Sequence, residues 1–165
     1  MKKVVLGLAV MGLLVGGAFT GAQAQGRRPA FSLNLGAHTN LFSETSFDNF
    51  WFTMDARVGI PVSRLLEFST EIMAMVDDSL NFSAVWLYPS AVLNVKLGDF
   101  FVGAGAVLPI VFYDEGADSG TLTPKINLGY RNRNLILTFY FLTSIEKYAG
   151  FLEYNYIGAT VGYLF

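Results

Sequence analysis

The chain has 165 residues, 53% of them hydrophobic and 15% aromatic, with no cysteine and a formal charge of −2. Lack of cysteine excludes disulfide staples, thiolate zinc sites and cysteine nucleophiles, and the acidic balance argues against a nucleic-acid binder, which carries a basic face. A soluble domain of this size has too little interior to hide so much apolar surface.

Lys2 and Lys3 precede an uncharged run from Val4 to Ala18, and Ala22-Gln23-Ala24 has the form of a cleavage site. A basic start, an apolar middle and a small-residue end predict a secretory signal peptide over 1–24, cut after Ala24. The run is shorter than the ~20 residues that a spanning helix needs. No cysteine follows to accept a lipid anchor. The remainder, 25–165, has the length of one domain. Without Lys2 and Lys3, nine basic residues face thirteen acidic ones, a charge near −4.

Alternation of apolar and polar residues, the period of a half-buried strand, predicts eight strands. The first spans Ala30 to His38, with Phe31, Leu33, Leu35 and Ala37 on one face and Ser32, Asn34, Gly36 and His38 on the other. A polar loop with Glu44 and Asp48 leads to the second, Phe50 to Ile60, where Phe52, Met54, Ala56 and Val58 oppose Thr53, Asp55, Arg57 and Gly59. A short turn through Arg64 precedes the third, Leu65 to Val76, with Phe68, Thr70, Ile72 and Ala74 opposite Glu67, Ser69, Glu71 and Met73. After the acidic loop at Asp77-Asp78, the fourth runs from Phe82 to Leu97, and its Pro89 predicts a bulge. Gly98-Asp99 is a two-residue hairpin turn into the fifth, Phe100 to Tyr113. A third loop, Asp114 to Gly120, carries Glu115 and Asp118. The sixth strand, Thr121 to Tyr130, turns through Arg131-Asn132-Arg133 into the seventh, Asn134 to Thr143. A fourth loop with Glu146 and Lys147 leads to the eighth, Phe151 to Phe165.

An up-and-down meander, apolar on one face and polar on the other, suits a barrel that faces lipid, because a bilayer leaves open backbone groups unsatisfied and the sheet must close. The fold class expected is therefore all-β: a transmembrane up-and-down antiparallel β-barrel of eight strands after a cleaved signal peptide. The four longer loops carry eight acids and one base, whereas the turns carry Arg64, Arg131 and Arg133 against Asp99. Loop length and charge thus divide the two ends in the same way. Aromatic residues near strand ends, among them Phe50, Trp51, Phe52, Phe100, Phe101, Phe112, Tyr113, Tyr130, Tyr163 and Phe165, suggest interfacial girdles.

The final strand alternates Ile157, Ala159, Val161, Tyr163 and Phe165 with Gly158, Thr160, Gly162 and Leu164. This pattern resembles the C-terminal strand of bacterial outer-membrane barrels, which ends in Phe and serves as their assembly signal. Across 25–165 the chain resembles the small eight-stranded barrels of the OmpA-transmembrane-domain, OmpX and OmpW type. The resemblance implies residence in a Gram-negative outer membrane, contact with its lipid and lipopolysaccharide, and insertion by the barrel-assembly machinery after escort by periplasmic chaperones. It implies no nucleic-acid partner and a monomer. No peptidoglycan-binding domain follows the barrel as in full-length OmpA, so no cell-wall tether is expected. The soluble rival, a lipocalin-like barrel, needs a charged outer face, and neither face here is charged enough.

The presumed lumen charges are Asp55, Arg57, Glu67, Glu71, Lys96 and Lys125. Burying an unpaired charge is costly, so mixed signs imply mutual pairing. Arg57, Glu67 and Lys96 are expected to form a low network near the turns, with Asp55 and Glu71 a layer above. Such a network is either a structural plug or, by re-pairing, a gate; eight-stranded interiors hold only side chains, which favours the plug. Trp86, Tyr88, Tyr154 and Tyr156 form a charge-poor aromatic upper lumen suited to small apolar solutes. The single His38, near Thr39 and Glu44, is the candidate for a lipid-modifying site, although no spacing demands one. No catalytic residue, cofactor or metal site is assigned. The acidic loops could at most bind divalent cations weakly.

Overall fold

The computed structural model describes residues 28–40, 50–77, 85–113, 116–143 and 155–165. The signal-peptide segment, Tyr154, and Glu44, Asp48, Asp78, Asp114, Glu115, Glu146 and Lys147 lie outside the described residues. The described residues form ten strands: β1 (Ala30–Asn40), β2 (Trp51–Pro61), β3 (Leu66–Asp77), β4 (Val85–Leu97), β5 (Phe100–Val107), β6 (Ile110–Tyr113), β7 (Gly116–Ser119), β8 (Thr123–Asn132), β9 (Leu135–Thr143) and β10 (Asn155–Leu164).

These strands trace the eight paths expected. Each neighbour pairs antiparallel in the order β3-β2-β1-β10-β9-β8-β5-β4, and β3 pairs again with β4, which closes the ring. The seam between the two ends of the chain matches Ser32 with Leu164 and continues to Asn40 with Tyr156. Backbone N–H groups of Leu164 and Phe165 donate to the carbonyls of Asn134 (2.8 Å) and Phe31 (2.8 Å), tying the last residues to both adjacent strands.

Two departures from the sequence reading concern proline. The bulge expected at Pro89 is absent: the β3–β4 ladder runs in one register from Leu66–Val95 through Ile72–Pro89 to Met75–Trp86. Pro89 still contributes an acceptor, taking a hydrogen bond from Leu108 N at 3.0 Å. The fifth path instead breaks at Leu108-Pro109 into β5 and β6, which keep the same register on β4. Beyond that break, part of the segment read as a third loop forms β7, which pairs with β6 from Ile110–Ser119 to Tyr113–Gly116.

The barrel is inverted relative to a soluble protein. Its exterior presents Leu35, Met54, Ile72, Leu93, Leu128, Phe139 and Val161 to the surroundings, with Leu35 63% exposed. Its interior buries Asn34, Asp55, Arg57, Glu67, Glu71, Lys125 and Asn127. In water such an exterior would be an aggregation surface, whereas lipid accepts it. Phe31 lies tilted against Phe165 (5.6 Å), Tyr163 meets Phe165 edge-on (4.9 Å) and Phe100 meets Tyr130 (5.3 Å), an outer aromatic belt at the turn end. Trp51 and Phe101, expected in the girdles, are not part of it. They share the parity of Thr53, Asp55 and Gly103 and point inward.

Leu35 lies in a cross-strand row with Met54 and Val161. Replacing it with Arg should destabilise the barrel by ~2–4 kcal/mol near the bilayer midplane, read from urea unfolding in vesicles. An unchanged midpoint would mean that this face does not meet lipid.

Candidate functional site in the barrel lumen

The lumen is built in layers set by register. On β2 and β3, Arg57 stands opposite Glu71, and Glu67 stands opposite Pro61. Arg57 reaches down diagonally, its Nη2 lying 3.1 Å from Glu67 Oε1 and its Nε 4.0 Å from Glu71 Oε1. Its guanidinium carbon sits 4.7 Å from the centre of the Phe101 ring, a cation–π contact beneath the charge layer. One layer higher, Lys125 Nζ donates to Glu71 Oε2 and, at 3.4 Å, to Ser90 Oγ. Asn127 Nδ2 donates to the other Glu71 oxygen at 3.3 Å. Asp55 accepts a hydrogen bond from Asn34 Nδ2, which also donates to Ser32 Oγ at 3.2 Å.

Lys96 does not join this network. On β4 the residue opposite Glu67 is Asn94, so Lys96 sits two residues nearer the turn and makes no ion pair with any described residue. Its expected place is taken by Arg131, whose Nη1 lies 2.9 Å from Glu67 Oε2. The sequence reading ended the sixth strand at Tyr130, but β8 continues to Asn132. The inward parity of Lys125, Asn127 and Gly129 therefore carries on to Arg131. Counting two further from Gly129 was the available signal. The resulting set is neutral, with Arg57, Lys125 and Arg131 against Asp55, Glu67 and Glu71.

Small residues make room for these long side chains. A Cβ on Gly59 would lie 2.8 Å from Glu67 Oε1, and one on Gly129 would strike the Phe101 ring that supports Arg57. Such alternation of small and large residues is how a narrow barrel fills its interior. The space left among Asn34, Asp55, Arg57, Glu71 and Lys125 is about 10 Å³, room for a single water at most.

Above the charges lies an apolar and aromatic layer of Met73, Met75, Tyr88, Val107, Tyr140 and Leu142, packed by Trp51, Trp86 and Tyr156. His38 belongs to it. Its ring stacks on Tyr156 with centroids 4.9 Å apart, and Nδ1 is 3.4 Å from the Tyr140 hydroxyl. The side chain is 2% exposed and points into the lumen, so it does not stand on the lipid-facing rim that a lipid-modifying site requires. Trp51 was missed as part of this layer and meets Trp86 edge-on at 6.2 Å.

The fold and its interior define the class: a closed eight-stranded antiparallel barrel of the outer-membrane type, apolar outside and charged within. Among solved structures, Neisserial surface protein A is similar, with a TM-score of 0.55, 11% identity, and coverage of 82% of this chain and 95% of that one. The N-terminal β-barrel domain of Pseudomonas aeruginosa OprF follows at 0.48 and 11%, covering 82% and 97%. Ail of Yersinia pestis, solved with the heparin analogue sucrose octasulfate, aligns at 0.46 and 10%, covering 83% and 97%. No protein-family model and no curated protein matches the chain. At these identities the likeness is one of fold.

Removing Arg131 should leave Glu67 with one cation instead of two. Arg131→Ala should cost ~1–2 kcal/mol, a buried-pair loss discounted for the partial exposure of Arg131. Lys96→Ala should change stability by less than about 0.5 kcal/mol. Denaturant unfolding of both variants in the same lipid checks the order; a reversed order would return Lys96 to the network.

Proposed function

We propose that this protein is a non-enzymatic outer-membrane barrel that acts as a closed scaffold, holding acidic loops at the cell surface to meet host, environment or lipopolysaccharide. The observation that carries this reading is the filled lumen: a neutral ion network, a residual cavity of about 10 Å³ and an aromatic layer stacked above it. Asp55, Arg57, Glu67, Glu71, Lys125 and Arg131 serve as a structural plug, since each buried charge has an opposite charge or a hydrogen bond close by. The protein is exported by the signal peptide at 1–24. The alternating residues Ile157, Ala159, Val161, Tyr163 and Phe165 present the assembly signal to the barrel-assembly machinery after periplasmic chaperones deliver the chain as a monomer.

A second reading, binding of small apolar solutes, is favoured by the aromatic layer around His38, Trp51, Trp86 and Tyr156. The ion network beneath that layer opposes a straight path through the barrel. Lipid modification has the least support, because His38 is enclosed in the lumen.

Single-channel recording in a planar bilayer tests the plug. The refolded wild type, its folding verified by a heat-dependent gel shift, should show no discrete openings. Arg57→Ala, which removes the cation shared by Glu67 and Glu71, should either remain silent or open small, short-lived conductances. Steady wild-type openings would replace the plug with a pore.

A further inference from the structure

The turn end of the barrel holds a second, larger space that the plug leaves unused. It is a cavity of about 470 Å³ lined by Arg64, Lys96, Arg131 and Arg133, with Asp99 the single acid and Ala30, Leu65 and Leu164 among the apolar walls. This volume lies within the range of small-molecule sites. Arg131 is committed to Glu67 at 2.9 Å, and the network it joins is neutral. Arg64, Lys96 and Arg133 against Asp99 therefore leave two positive charges uncompensated in the mouth.

The turns hold these cations in place. Ser63 Oγ accepts hydrogen bonds from Leu65 N (3.2 Å) and Leu66 N (2.9 Å), fixing the bend that carries Arg64. The β8–β9 hairpin places Arg133 at φ 40°, a left-handed conformation that glycine or asparagine adopts more readily. An arginine side chain is thus presented from a position where the backbone favours another residue. The 133–134 turn is secured by Asn134, whose Nδ2 donates to Tyr163 OH (3.0 Å) and Leu164 O (3.2 Å).

We propose that this mouth is an anion site for a phosphoryl group carried on a ligand of headgroup or sugar-phosphate size. Two guanidinium forks and an ammonium match the tetrahedral oxygens of an anionic phosphoryl group, with charge-assisted hydrogen bonds that also set orientation. Two uncompensated positive charges among the lining residues balance the dianion of a phosphate monoester and exceed by one the single charge of a phosphodiester headgroup. The volume leaves room for a glycerol or sugar beside Leu65 and Leu164. The ligand is either a soluble phosphate ester or the headgroup of an anionic phospholipid reaching round the rim, and these sources are separable by experiment.

The full barrel, folded in an uncharged maltoside, is titrated calorimetrically with glycerol 3-phosphate at low ionic strength. In parallel, barrel micelles doped equally with phosphatidylglycerol and phosphatidylcholine are examined by native mass spectrometry. The variants are Arg64→Gln/Arg133→Gln and Lys96→Gln, with the heat-dependent gel shift confirming that each is folded. Saturable one-to-one binding of glycerol 3-phosphate, weakened about tenfold or more in the double variant, supports the site with a soluble ligand. Selective retention of phosphatidylglycerol, lost in the double variant, supports it with a lipid ligand. Absence of both, or binding that the variants leave unchanged, overturns the proposal.

Discussion

Backbone hydrogen bonding in a medium without water is the constraint on which the rest of this molecule depends. Every N–H and C=O at hydrocarbon depth needs a protein partner, and a sheet satisfies that demand only when its first and last strands meet. Here the meeting is the β1–β10 ladder from Ser32–Leu164 to Asn40–Tyr156. Gly36 and Gly162 lie on that seam, where a Cβ would collide with Thr160 and Asn34 respectively. Close approach of the two strands thus relies on residues that have no side chain to place in the lumen.

Closure with eight strands makes the interior narrow, and that narrowness governs the chemistry inside. An aqueous channel would let charges stand apart and be hydrated. In a lumen with space for about one water, each charge must find a protein partner. Glu67 is held between Arg57 and Arg131, and Glu71 receives Lys125 and Asn127 while lying near Arg57. The network is therefore a consequence of closure as much as a stabiliser of it. Replacing such a set with well-packed apolar residues is often neutral or favourable for stability, so what the set supplies is a defined, filled interior more than stability alone.

Charge is distributed along the barrel axis with a clear polarity. The mid-lumen is neutral, the layer above it is aromatic, and the turn end collects Arg64, Lys96 and Arg133 around one acid. Of the acids that the sequence puts in the longer loops, two are among the described residues: Asp77 ends β3 and Asp118 lies exposed on β7, both away from the turn end. The two ends thus offer different surfaces to the two compartments that a membrane would separate, and the space left between them among the mid-lumen charges is about that of one water.

Much of this architecture was legible in the period-two alternation, because a strand that faces lipid on one side and a packed lumen on the other tolerates no break in its pattern. Alternation alone assigned Asp55, Arg57, Glu67, Glu71 and Lys125 to one face and Leu35, Met54 and Val161 to the other. Structure and sequence pattern part where parity extends beyond what residue type suggests. Arg131 has turn-forming neighbours yet keeps the inward parity of β8, and Trp51 and Phe101 are aromatic residues near strand ends whose parity turns them inward. Which cation meets Glu67 was not available from any one strand. Lys96 and Arg131 both lie near the turn end, and the choice between them depends on the β3–β4 register and on reach across the lumen from β8. The sequence by itself determined the alternation, and with it the fold class and the two faces, because those are local properties of each strand. The tertiary structure decided the pairings, the burial of His38 among aromatic rings and the basic mouth, because these arise only where strands distant in the chain are brought round one axis.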